Sequence, residues 1–194
     1  MMKKLKFSPF LGLLVFAYML IEGSFDPLWL LGFSLLHELG HIAVIRLLGG
    51  GIGGFFGKGQ GFSLTVGGLS YHGELLAALA GPAVSLLLTL GFALAAWGFR
   101  SERLWFFCFA NGGLALLNLL PVLPLDGGRV LRAVLALHLP PHRQRTVLQA
   151  VGLSVLLPLL ALSFWQFLSS GYNLSLLFVC FYLISLIGAN EYDV

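Results

Sequence analysis

Six apolar runs divide the chain, at about Phe7–Ile21, Leu28–Leu48, Leu75–Phe99, Leu104–Leu120, Val147–Leu168 and Leu174–Ala189. A helix that crosses a bilayer needs about 20 apolar residues, with a range of about 17–25, and the longer runs meet that length. Little polar sequence lies between them. Of the 194 residues, 58% are hydrophobic and only 10% are charged, against about 45–50% and about 25% in a soluble domain. A surface of that kind cannot be kept in water. The expected fold class is an all-α polytopic membrane protein with about six transmembrane helices. The net charge of +3 needs no nucleic acid to explain it, because basic residues collect beside membrane spans. Cys108 and Cys180 lie in apolar runs without C-x-x-C spacing, and read as small buried hydrophobes rather than a disulfide or a metal pair.

The first run is short and follows Lys3, Lys4 and Lys6, so it has the outline of a signal-peptide core. No A-x-A cleavage site follows it, and Glu22 does. A span or shallow anchor is therefore expected. An N-terminus in the cytoplasm puts nine basic residues on that side, from Lys3 to Arg145, and only Arg100 and Arg103 on the other. That imbalance favours both termini in the cytoplasm. Without a soluble domain, internal repeat or long linker, residues 1–194 read as one membrane-embedded domain. Its core is expected at about 28–137, with flanking spans at about 7–21, 147–168 and 174–189.

One connection is unusual. Gly49 to Gly61 reads GGGIGGFFGKGQG, with eight glycines in thirteen residues. The chain continues as FSLTV-GG-LSYHG, two short runs about a Gly-Gly pair. That pattern is either a flexible loop or a β-hairpin turning at Gly67 and Gly68. A hairpin dipping toward the membrane would have to lie against protein or a water-filled cavity.

Within the second run stands HELGH, His37 to His41. On a helix, residues four apart face the same way. Two neutral imidazoles at that spacing can hold zinc, with Glu38 placed to act on a metal-bound water. A bare H-E-x-x-H is only moderately specific. Here its setting sharpens it, because a charge at the centre of a span costs about 2.5–3.5 kcal/mol on insertion scales. Three titratable groups within one turn are costly as passive structure.

Catalytic zinc usually has three protein ligands and one open position. Asp26 beside Pro27 suits a helix start, Glu22 a membrane interface, and Glu74 the positive end of a helix dipole. Glu191 and Asp193 lie in the tail, and His72, His138 and His142 in polar or proline-flanked connections. Asp126 remains, in NLLPVLPLDGG from Asn118 to Gly128. Pro121 and Pro124 interrupt the helix, and Gly127 and Gly128 allow a sharp turn after the aspartate. Asp126 could cap a helix over Arg129–Leu137, or bind the metal. Charge accounting favours the metal: Zn²⁺ with neutral histidines and two carboxylates, Glu38 and Asp126, sums to zero, which makes a buried ionic cluster tolerable.

With both motifs in view, the chain resembles the site-2 protease family of intramembrane zinc metalloproteases, peptidase family M50, and within it the small SpoIVFB-like group. HELGH matches the first family motif and Asn118–Gly128 matches N-x-x-P-x-x-P-L-D-G throughout. ALAGPAVSL at Ala78–Leu86 matches the A-G-P stretch of the intervening span, with Ser85 where members often have asparagine. VGG at Val66–Gly68 stands at the family's Gly-Gly hairpin. The likeness covers about Leu28 to Leu137, and its paired motifs are highly specific. Neither a PDZ nor a CBS domain is expected.

The resemblance implies one zinc per chain, bound by His37, His41 and Asp126, with Glu38 as general base. It implies a zinc metalloendopeptidase that cuts transmembrane or membrane-associated segments of other membrane proteins, set in a bacterial cell membrane and open to a membrane regulator. Asn118, in the family motif, can offer an amide N–H₂ to a developing oxyanion, or can bond a neighbouring helix. Ala77, Gly81 and Ser85 recur every four residues, a stripe of small residues that lets helices approach closely. It is expected to pack on the HELGH helix or the Asn118 helix. His41 lies seven residues before Leu48, about 10 Å into the bilayer at 1.5 Å per residue, so a polar path from the cytoplasm is needed. An unwound substrate could be held by β-pairing to a strand in Phe62–Ser70. A metal transporter with the same ligands should show inverted repeats or further polar residues along a path, and neither is present. An inert membrane scaffold fits poorly with an intact Glu38.

Overall fold

The structure, a computed structural model, describes residues 26–58, 61–67, 69–170 and 175–188. The first apolar run lies outside the described residues, as do Glu22, Glu191 and Asp193. The elements in chain order are α1 (Asp26–Leu47), β1 (Gly51–Lys58), β2 (Gly61–Gly67), α2 (Tyr71–Phe99), α3 (Glu102–Asn118), α4 (Asp126–Ala136), α5 (Pro141–Ser170) and α6 (Ser175–Gly188). Five of the six described helices, α1, α2, α3, α5 and α6, fall where apolar runs predict them. By length and composition three of them can cross a membrane, at Leu28–Leu47, Tyr71–Phe99 and Pro141–Ser169. Large apolar side chains point outward from them, among them Leu35, Leu87 and Trp165, each more than 60% exposed. Outward aliphatic and aromatic surface on this scale suits lipid rather than water, and the chain is built for a membrane.

α2 is the central element. It packs against α1, α3 and α4. Two small residues permit the α1–α2 contact. A Cβ on Gly40 would meet Val84 Cγ2 at 2.8 Å and the Ala80 carbonyl oxygen at 3.0 Å. α2 starts at Ser70, whose side chain accepts a hydrogen bond from the Gly73 amide at 3.3 Å. That caps one of the amides left open at any helix N-terminus.

One end of the three-helix core is closed by aromatic rings. Phe33 of α1, Phe92 of α2 and Phe107 of α3 meet pairwise with centroids 5.4–5.5 Å apart, and Trp29 joins Phe107 at 5.1 Å. At the other end, the loop between α3 and α4 rests on the flanking helices. Val122, fully buried, forms a cluster with Leu148 and Leu156 of α5 and Leu183 of α6. α5 and α6 thus buttress the loop that leads into Asp126.

The hairpin is real, but it is formed by different strands from those expected. β1 is the Gly-rich segment, paired antiparallel with β2 from Gly51↔Gly67 to Lys58↔Gly61, with an irregularity between Gly53 and Phe56. Gly67 ends β2 and is not the hairpin turn. A Gly-rich stretch has no apolar alternation and so gives no strand pattern, yet ladder pairing needs only backbone groups. Leu69–Gly73, read as the second strand, is instead committed to a helix start by the Ser70 cap.

Candidate metal centre

Two helices, α1 and α4, bring His37, His41 and Asp126 together. The histidines lie one turn apart on α1, and Asp126 is the first residue of α4. All three are buried, at 3%, 3% and 5% exposure. His37 Nε2 stands 3.0 Å from Asp126 Oδ2, His41 Nε2 stands 3.2 Å from the same oxygen, and the two Nε2 atoms are 3.3 Å apart. A tetrahedral ion with ligands at about 2.0–2.1 Å has ligand–ligand edges of about 3.3–3.4 Å. The triangle therefore closes on a zinc-sized ion with little adjustment.

The outward-facing ring nitrogens fix the tautomers. His41 Nδ1–H donates to the Ala77 carbonyl oxygen at 2.7 Å. His37 Nδ1 lies 2.9 Å from Ser85 Oγ, to which its N–H donates when Nε2 carries the lone pair. In that state two bare imidazole nitrogens and a carboxylate oxygen face one another with no proton between them. Three converging acceptors repel unless a cation sits among them, so the donor set fits a divalent metal. Metal-bound histidines usually hold their other N–H in this way.

α2 supplies the floor. Ala77, Gly81 and Ser85, the stripe of small residues, all face the α1 histidines. A Cβ on Gly81 would lie 2.6 Å from His37 Nε2 and nearer still to His41 Nε2. Glycine at that position keeps the point of convergence open. Arg129 Nη1 lies 3.7 Å from Asp126 Oδ1, which holds the second carboxylate oxygen away from the histidines. Arg132 reaches Glu74 of α2 at 4.0 Å and ties α4 to the same floor.

Gly127 and Gly128 do not form the sharp turn expected of them, since both lie in the first turn of α4 with Leu125 as its N-cap. Cβ atoms there would strike the chain at Leu119–Leu120 and at Val122–Leu123 respectively. The pair is needed for close approach of helix and loop, which is what places Asp126. The α4 helix also starts three residues earlier than Arg129 and ends at Ala136.

The structure assembles three of the five residues expected at the site. Glu38 is exposed and stands outside the triad, beside His37 in the chain. Asn118, the last residue of α3, donates its amide to the Leu114 carbonyl oxygen of its own helix at 3.0 Å. It therefore neither joins the triad nor bonds a neighbouring helix through that amide. Asp26 lies in the first turn of α1, 4.0 Å from Arg103, and His138 Nδ1 donates to Val134 O at 3.0 Å. Ser85 and Asn111 were not expected at the site. Both are fully buried polar side chains, and an amide within an apolar helix is the sequence signal Asn111 gives.

Comparison with known proteins returns a consistent picture. The family model described as Peptidase family M50 matches residues 92–159, which include Asp126 but not His37 or His41. A Mycobacterium tuberculosis protein named as a zinc metalloprotease, Rip3, is 33% identical over 160 residues in each of two strains. That match takes in 77% of this chain and 41% of the relative, so the chain spans well under half the length of the curated relatives it matches. Among solved structures, the site-2 protease of Methanocaldococcus jannaschii shares the fold, with a TM-score of 0.70 at 24% identity over 94% of this chain and 86% of that one.

Proposed function

We propose that this chain, which belongs to peptidase family M50, is an intramembrane zinc metalloprotease that hydrolyses peptide bonds within or beside transmembrane segments of other membrane proteins. The observation that carries the proposal is the triangle of His37, His41 and Asp126, buried between membrane helices and matched to the edges of a zinc tetrahedron. A zinc ion held by these three residues would supply Lewis acidity and would lower the pKa of a nearby water toward neutrality.

The remaining steps belong to the chain. Glu38 adjoins His37 and stays exposed. It takes the proton of the attacking water and passes it to the leaving amine, a role that contributes typically 10²–10⁴-fold. Asn118 supplies a donor for the developing oxyanion once its amide turns from the Leu114 carbonyl, which holds it at 3.0 Å. The aromatic cluster of Phe33, Phe92 and Phe107 closes the core one turn beyond His37. Water therefore reaches the site from the His41 end of α1. His41 lies six residues before Leu47, about 9 Å along the axis, and that end faces the cytoplasm.

A peptide in a transmembrane helix has its carbonyls hydrogen-bonded and must be unwound before attack. β2 offers a strand to which an unwound segment can pair. Both termini in the cytoplasm, a bacterial cell membrane, a single domain over residues 1–194 and a membrane-bound regulator complete the reading.

The test uses cells that carry Glu38→Gln in place of the wild type. Quantitative mass spectrometry of the membrane fraction should show one or a few single-pass proteins accumulating uncut, with their fragments absent. No change in any membrane protein or its fragments would oppose the assignment.

A further inference from the structure

The triad's own hydrogen bonds leave one buried chain of polar groups unfinished. Ser85 is 0% exposed, and its Oγ lies 2.9 Å from His37 Nδ1. When His37 offers Nε2 to a metal, its Nδ1–H must donate to that oxygen. The Ser85 hydroxyl hydrogen then needs an acceptor of its own. Thr89 spends its hydroxyl hydrogen on the Ser85 carbonyl oxygen at 2.8 Å, and among the described residues the Ser85 hydroxyl has no hydrogen-bond contact besides His37.

Across the α2–α3 contact stands Asn111, also 0% exposed. Its Nδ2 donates to the Phe107 carbonyl at 2.9 Å. Its Oδ1 is the single buried side-chain polar atom among the described residues with no hydrogen-bond partner. A buried carbonyl left unpaired is costly, so it is not expected without a purpose. The two helices run antiparallel, and their levels can be matched. Phe107 meets Phe92 at 5.4 Å, and Gly112, the residue after Asn111, faces Thr89 at van der Waals distance. Asn111 is therefore level with about Thr89, one turn along α2 from Ser85. The remaining axial offset is about one helical turn, roughly 5 Å, a gap one buried water can bridge.

Building on the metal reading above, we propose that Ser85 and Asn111 are positioning residues for the metal ligand His37. Asn111 Oδ1, through one buried water, takes the hydrogen bond of the Ser85 hydroxyl. Ser85 is thereby held with a lone pair toward His37 Nδ1–H, which fixes both the tautomer and the ring orientation of His37. Neither residue touches the metal or the substrate.

Equilibrium zinc affinity of the purified full chain, measured by chelator competition beside thermal unfolding, tests the proposal. Ser85→Ala should weaken zinc about 10–100-fold, the usual cost of losing a partner of a ligating histidine. Ser85→Thr, which keeps the hydroxyl, should bind zinc more tightly than Ser85→Ala. Asn111→Leu keeps nearly the same volume and removes the acceptor. It should weaken zinc in the same direction while the melting temperature stays near the wild-type value, since the side-chain volume is kept. The double variant should bind no more weakly than Ser85→Ala alone, because Asn111 acts only through Ser85. The cobalt-loaded variants should share one altered visible spectrum. Unchanged zinc affinity in Asn111→Leu, or fully additive effects of the two substitutions, would overturn the proposal. A wild type that binds zinc tightly beside unaffected variants defeats this inference alone, whereas a wild type that binds none defeats the metalloprotease reading as well.

Discussion

Gly81→Ala is the smallest change that should empty the metal site. The added methyl would stand 2.6 Å from His37 Nε2, where ordinary van der Waals contact begins at 3.4 Å, and it comes closer still to His41 Nε2. Each imidazole must therefore retreat by about 0.8 Å or more, while a metal site tolerates about ±0.2 Å in its ligand distances. The rings have no slack for this. His41 is anchored through Nδ1 to Ala77 O at 2.7 Å, and His37 to Ser85 Oγ at 2.9 Å. Moving α2 away instead would open the contact at Gly40 and Val84. Overpacking of this kind costs typically about 1–3 kcal/mol, which a folded protein survives. Zinc affinity should fall by more than about 100-fold, or about 2.7 kcal/mol. Gly91→Ala, in the same helix, is the control. Nothing lies within 4 Å of its Cβ position, so it should bind zinc normally and gain stability from the better helix former, by up to about 1 kcal/mol. Metal content by plasma mass spectrometry, chelator competition and thermal melts on both variants give the answer. A Gly81→Ala protein with wild-type zinc affinity would refute the placement of the metal over α2.

Three further outcomes follow from the site. Asp126→Asn should purify folded but with zinc content far below one per chain, and full occupancy would remove Asp126 from the ligands. Asn118→Ala should lower turnover about 10²–10³-fold with zinc and melting temperature nearly unchanged; intact turnover per folded molecule would leave the amide with only its Leu114 bond. Proline at Val66, within β2, removes a strand N–H and should slow cleavage of helical membrane substrates while zinc is retained. Normal cutting by that variant would reduce the hairpin to a tether.

Much of the centre could be read before any coordinates, because its parts depend on local spacing. His37 and His41 share a face by helical period alone, and Asp126 was favoured by charge balance and by the motif N-x-x-P-x-x-P-L-D-G that carries it. The stripe of Ala77, Gly81 and Ser85 announces a close helix contact through residue size. What each of its members does there was not legible. The Ala77 carbonyl, the bare Gly81 and the Ser85 hydroxyl address three different atoms, and only the rotation of α2 about its axis decides which. Asn111 is silent for the same reason, since its burial depends on α3 packing. Gly127 and Gly128 were read as backbone freedom, when their use is absence of side chain against Leu119–Leu123. The hairpin was displaced by one strand because glycine carries no pattern of faces. The amide of Asn118 had two expected partners, a neighbouring helix and a cavity, and the structure gives it a third within its own helix.

The claim at the centre of this account is zinc-dependent hydrolysis in the membrane by Glu38 and the buried triad. It is tested most directly by cleavage of a single-pass substrate co-reconstituted with the purified chain in proteoliposomes. The account predicts that the wild type cuts, stops when a chelator removes its metal and resumes when one equivalent of zinc is returned, while Glu38→Gln holds zinc and cuts at least about 10²-fold more slowly. Cleavage that survives metal removal, or that proceeds at the wild-type rate in Glu38→Gln, would contradict it.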